Sequence, residues 1–148
     1  MRSILTRLIG IGVVLGIAWF IYQMDDVTGC DGPGSDSWFD DTNARLEEAN
    51  ADYASWDDYT AIDGIDDITV RAEARYQAQL SQKTVSCLET LQEHEIEFFR
   101  LEWKMYEAAS KGNYELSYEY DLESYDADEA ASNEFDRLAE EYDWDVAE

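Results

Sequence analysis

The residues best equipped for chemistry sit around the only histidine, His94, which lies between Glu93 and Glu95 with Glu97 three positions on. An imidazole among carboxylates can ligate a transition metal or move protons. A metal centre built on helices draws ligands from several of them, usually as a repeated Glu-x-x-His, and the chain has no such repeat. His94 is therefore read as a core or pH-sensitive histidine. The acidic pairs Asp40-Asp41, Asp57-Asp58 and Asp66-Asp67 invite a calcium reading. An EF-hand loop needs alternating ligands and a glycine at its sixth place, and Gly64 would put Tyr59 at the first ligand position. Loose cation association fits such pairs better than a dedicated site. No nucleophile with a histidine partner, no Gly-x-Ser-x-Gly and no phosphate loop is present. The expectation is a protein that is not an enzyme, with no catalytic residue, no metal ligand set and no cofactor.

Cys30 and Cys87 are the only cysteines. Outside the cytoplasm an even pair favours a disulfide, and the reach of a six-residue linker, roughly 20 Å, allows that bridge without requiring it. Val27-Thr28-Gly29 before Cys30 loosely resembles a lipobox, the motif at which lipoproteins are cleaved and lipidated on cysteine. Asp25 and Asp26 and the valine in place of leucine depart from it. Lipidation of Cys30 and a disulfide to Cys87 consume the same thiol and stand as rival expectations.

These residues are carried on a chain of pronounced asymmetry. Leu8 to Met24 is free of charge and follows Arg2 and Arg7. All thirty-five acidic residues, but only eight of the ten basic ones, lie beyond it, so that part carries a formal charge of −27. The apolar run spans about 25 Å as a helix, the short edge of a bilayer. Arg7 can snorkel to extend it, and Trp19 and Tyr22 suit an interfacial belt. Residues 1–24 are read as a signal-anchor helix contacting membrane lipid, N-terminus cytoplasmic and C-terminal domain extracellular. Cleavage as a signal peptide is the rival. Gly12 and Gly16, four apart, would let such a helix pack closely against another.

The acidic excess excludes nucleic-acid binding, because phosphates would be repelled. The acids are dispersed, and lysine occurs only at 83, 104 and 111. In this the composition resembles that of extreme halophiles, most often haloarchaea, whose proteins face screening lengths of a few ångströms. Abundant aromatics, 14%, argue against a disordered acidic tail.

Glycine and proline punctuate residues 25–36, which read as a flexible linker. Residues 37–148 read as an acidic extracytoplasmic helical bundle. Ser35 or Ser37 can cap a first helix, whose seam runs Phe39, Thr42, Leu46, Ala49, Tyr53 and Trp56, with an end near Ala61. A second helix is expected unbroken from Asp66 or Asp67 to Lys111, about 69 Å long. It carries one stripe through Leu80, Thr84, Cys87, Leu91, His94, Phe98, Leu101, Met105 and Ala108, and another through Val85, Leu88, Phe99, Trp103 and Tyr106. Two stripes call for two neighbours. Tyr114, Tyr118, Leu122 and Tyr125, then Phe135, Leu138, Tyr142 and Val146, form the third apolar pattern. The expected class is all-α: an N-terminal transmembrane helix followed by an antiparallel three-helix bundle with a long central helix.

A motif-free bundle on an anchor points to a non-enzymatic interaction or structural component with a protein partner or as a homo-oligomer, from a halophilic archaeon or its virus. The alternatives are a lipoprotein-like binding module for an extracellular cation or small solute, and an accessory subunit of a membrane complex. The interaction component requires an exposed apolar or aromatic patch; the binding module requires a concave pocket with converging polar groups.

Overall fold

The computed structural model describes Cys30 and residues 33–56 and 64–144. The apolar run Leu8–Met24 with Gly12 and Gly16, most of the linker, and Asp57-Asp58 lie outside the described residues. Among the described residues no helix is long and apolar enough to cross a membrane.

The described chain is all-helical and contains no strand. Helix α1 spans Pro33–Ser55, α2 Ile65–Ser81, α3 Glu89–Ser110 and α4 Tyr114–Tyr142, with a short 3-10 turn, Ser86–Leu88, ahead of α3. Proline opens α1 because its missing N–H falls where a helix has no use for one. The helix thus starts inside the stretch read as linker, and it ends six residues short of Ala61. Gly64 takes a left-handed conformation, φ 95°, to turn the chain into α2, and Gly112, φ 75°, does the same between α3 and α4. Asn113 caps α4, its side chain accepting from the Leu116 amide.

Facing residues fix the topology. Thr42 and Asp52 of α1 meet Gln79 and Arg71 of α2. Arg75 and Gln79 of α2 meet Glu102 and Gln92 of α3. Phe39 and Tyr53 of α1 meet Phe135 and Tyr125 of α4. The helices therefore run up, down, up, down. Backbones approach closely along α2–α3 and α3–α4 and only briefly along α1–α2.

The long central helix is corrected to two. Its segment breaks at 82–85, where Gln82 is extended, and α3 folds back along α2. Ser81, Thr84, Val85 and Ser86 are weak helix formers, and Gln82 spends its side chain on α1 instead, donating to the Trp38 carbonyl at 3.2 Å. Coverage supplies the stronger reason. A helix of about 69 Å would need neighbours of similar length on two faces, and α1 and α4 have only 23 and 29 residues. Folding the segment in half lets its stripes cover each other. Leu91 and Leu101 are buried, whereas Leu80, on the expected seam, is half exposed. Among the described residues the bundle accordingly has four helices rather than three.

The core is divided. One apolar cluster, at the end where α1 begins, joins Cys30, Trp38, Val85, Leu88, Leu91 and Leu138, flanked by Phe39, Phe135 and Trp144. The other, at the opposite end, joins Trp56, Ile65, Ile68, Ala72, Met105 and Tyr106. Between them lies a polar belt.

Candidate functional site

The belt has two buried polar knots. In the first, Trp38 Nε1 donates to Gln92 Oε1 at 2.5 Å, and Gln79 Nε2 donates to the same oxygen at 3.1 Å. Arg45 reaches in from α1 to donate to Gln79 and Gln82. In the second, Arg75, 3% exposed, lies between two carboxylates, donating to Asp52 Oδ2 at 2.7 Å and Glu102 Oε1 at 2.5 Å. Arg71 adds a bond to Asp52 Oδ1 from the surface. Burial pushes the Asp52 carboxyl upward, but hydrogen bonds from Arg71 and Arg75 outweigh it and hold the group below its ordinary value. At Glu102 burial prevails over the bond from Arg75 and the group is raised. Asp52 thus has two guanidiniums, and Glu102 shares one of them.

Glu95, on α3 near the first knot, is buried, and among the described residues no hydrogen bond to it is seen. Burial and the nearby Asp128 of α4 push its carboxyl up to about 7, against a smaller opposing pull from Arg45. It lines a groove of about 280 Å³ between α1 and α4 with Trp38, Thr42, Leu46 and Phe135. Leu46 also lines a second, larger cavity of about 390 Å³ further along the same seam. These spaces exist because α1 meets its neighbours through long side chains instead of close backbone packing.

The outer face of α4 is the other notable surface. Against the bundle this helix buries mostly small residues, Ser117, Asp121, Ser124, Ala127, Ala131 and Ala139. That face allows the close approach to α3. It leaves Tyr114, Tyr118, Leu122 and Tyr125 exposed, at 39–56% of their full area. The sequence pattern places these four among the residues of a helix seam; the structure puts them outside. Tyr125 also meets Tyr53 of α1, their hydroxyls 3.4 Å apart.

The residues singled out in the sequence are dispersed. His94 is half-buried, Glu93 exposed, and Glu97 is occupied by Arg100 at 2.6 Å. Asp40, Asp41, Asp66 and Asp67 are exposed. Among the described residues no group of three or more potential ligands is gathered around a metal position. Cys30 and Cys87 are joined in a disulfide with Cα atoms 6.0 Å apart, and Ser35 Oγ donates to the Cys30 carbonyl at 2.7 Å. Sequence reasoning missed Arg75, Asp52 and Glu102, which look like ordinary charged members of a helical surface, and no sequence signal marks them as buried. Compared with protein-family models, with curated proteins and with solved structures, the chain shows no match.

Proposed function

We propose that the chain is a non-enzymatic interaction component, anchored by residues 1–24 and presenting its acidic bundle at the outer face of a halophile's membrane, where it docks a protein partner. The observation that carries this reading is the exposed row Tyr114, Tyr118, Leu122 and Tyr125 on a helix that buries small residues in its place. Aromatic side chains of this kind supply contact area at low entropic cost and dominate interface energetics.

The surroundings favour the kind of partner. Glu115, Glu119, Glu123 and Asp126 flank the row, and α4 has no Lys or Arg before Arg137. A segment with apolar residues bordered by Lys or Arg complements that surface, whereas a second copy would set acid against acid.

The reading is tested by photo-crosslinking in intact cells from the exposed position 115 or 119 beside the row, with exposed Val70 of α2 as the control position. Adducts from α4 to a protein with a basic, apolar segment, lost in a Tyr118→Ser/Leu122→Ser variant of unchanged melting temperature, are expected. Adducts no stronger than from position 70, or adducts only to a second copy, refute it.

A further inference from the structure

Glu95 lies in the smaller groove on the α1–α4 seam. Helices α1 and α4 form the walls, and α3 contributes Leu91 and Glu95 between them. Glu95 is only 9% exposed, and among the described residues nothing donates to it. Its carboxylate oxygens nevertheless keep contact with solvent, unlike the hydroxyls of Tyr106 and Ser117, which are both covered and unpaired. Since Glu95 lines the groove, the opening is the groove itself. An interior carboxyl without a partner is unfavourable, so a ligand that brings a donor makes a bond the protein leaves unmade.

The groove has two unlike ends. Toward the start of α1, Trp38, Phe39, Leu91 and Phe135 make an apolar end, where Phe39 and Phe135 meet edge to face with ring centres 5.8 Å apart. Glu95 follows Leu91 by about 6 Å along α3. Asn43 and Ser132 add exposed polar groups at the two rims. Among the described residues no basic side chain lines the groove. The charges that act on Glu95 are Asp128 of α4, which disfavours its ionisation, and Arg45 of α1, which favours it less strongly. Arg45 is already committed to Gln79 and Gln82. A cation in the groove is thus attracted by Glu95 and Asp128 together. The unmade bonds call for a cation with N–H groups, because charge-assisted hydrogen bonds are the strong ones. A single lining carboxylate is too few for a divalent metal, and the volume, about 280 Å³, admits only a small ligand.

We propose that this groove binds a small primary amine, its ammonium group donating to Glu95 and its short apolar or aromatic body lying along the seam toward Phe39 and Phe135. None of the four residues of the outer α4 row lines the groove, so docking there and binding here are tested independently.

The probes are 2-phenylethylamine, its neutral counterpart 2-phenylethanol, and ammonium chloride, which supplies the head without the body. Each is titrated into the full chain, disulfide intact, in a maltoside detergent at constant ionic strength, with binding read by calorimetry. At about pH 8.5 the amine is expected to bind saturably, and the alcohol and the bare ammonium ion roughly tenfold more weakly. Glu95 holds its proton up to about 7 and must shed it to pair, so amine affinity is expected to fall roughly thirtyfold between about pH 8.5 and about pH 5.5. Glu95→Gln keeps the size of the side chain and removes one acid of an acidic coat. With its helical signal checked first, it is expected to weaken the amine roughly tenfold and to flatten the pH profile. The proposal is overturned by an absence of saturable amine binding up to about 50 mM, a limit generous for so small a ligand. It is equally overturned by equal binding of the alcohol, or by an affinity that Glu95→Gln leaves unchanged.

Discussion

Gln79 and Gln92 clasp each other across the α2–α3 corner: Gln79 Nε2 donates to Gln92 Oε1 at 3.1 Å, and Gln92 Nε2 donates back to the Gln79 carbonyl at 2.6 Å. The second bond gives a carbonyl in the last turn of α2 a shorter partner beside the Gln82 amide, which donates to it at 3.3 Å. The clasp thus caps one helix with the side chain of the next. Gln92→Leu removes the acceptor of both Gln79 and the Trp38 indole and is expected to cost about 1–3 kcal/mol in urea unfolding. The double variant Gln79→Leu/Gln92→Leu should cost less than the sum of the single ones, because two mutual partners leave together. Strict additivity would show that the two side chains do not interact.

Arg75 is the only cation buried at the second knot. Arg75→Met strands Glu102, leaves Asp52 to Arg71 alone, and is expected to cost about 3–5 kcal/mol. Adding Glu102→Gln should restore part of that loss, since it removes the stranded charge. An Arg75→Met protein as stable as the parent would mean that water, not Arg75, solvates the two carboxylates.

Glu95 should make stability fall as pH rises. Its carboxyl stands at about 7 in the fold against an ordinary 4.5, so the native state keeps a proton that the unfolded chain releases. The contribution is full below about pH 4.5 and is lost as pH climbs through 7, on the order of 3 kcal/mol in all. Glu95→Gln should be more stable than the parent at pH 8 and equal to it near pH 4.5, read from urea midpoints across that window. Parallel profiles for both proteins would show that Glu95 ionises normally.

Salt acts on the remaining charge. At 0.01 M the screening length, about 30 Å, is comparable to the bundle, and at 1 M it is about 3 Å. Helical signal and melting temperature of the domain should rise steeply between the two, as a coat of −27 demands. Equal heat resistance at both concentrations would remove the halophile reading and leave the bundle intact.

Reducing the Cys30–Cys87 bridge should destabilise the domain by about 2–5 kcal/mol, measured on the unreduced and reduced protein side by side. A mature chain that begins at a lipid-bearing Cys30 in intact-mass analysis would show that its thiol is spent on the membrane instead.

The helical class was legible because apolar spacing of three and four and the scarcity of breakers act locally. Helix α4 shows the same: Asp126-Ala-Asp-Glu passes through it without interruption, since none of these residues bars a helix. What could not be read was which apolar stripe faces inward. Tyr118 and Leu122 have seam spacing yet are exposed, because the small face of Ser117, Ser124 and Ala131 packs more closely on α3 than a ring could. The break at 82–85 was equally hidden. No glycine or proline marks it, and it follows from the lengths of helices distant in sequence. The polar belt escaped for a third reason. With so many acids in the chain, Glu95 and Glu102 differ from their exposed neighbours only in the space around them.

The disulfide also decides how the domain bears load. It joins residues 57 positions apart, so tension entering from the chain before Cys30 crosses directly to Cys87 at the foot of α3, and α1 and α2 lie outside the force path. A pull on Trp144 would leave from that same end of the bundle, where both residues belong to one cluster, and would peel α3 from α4 turn by turn. A load taken up at Tyr114–Tyr125, toward the opposite end, instead drags α4 lengthwise along α3 and strains their whole seam at once. The fold is mechanically weak between its own two ends and strong between its base and the aromatic row.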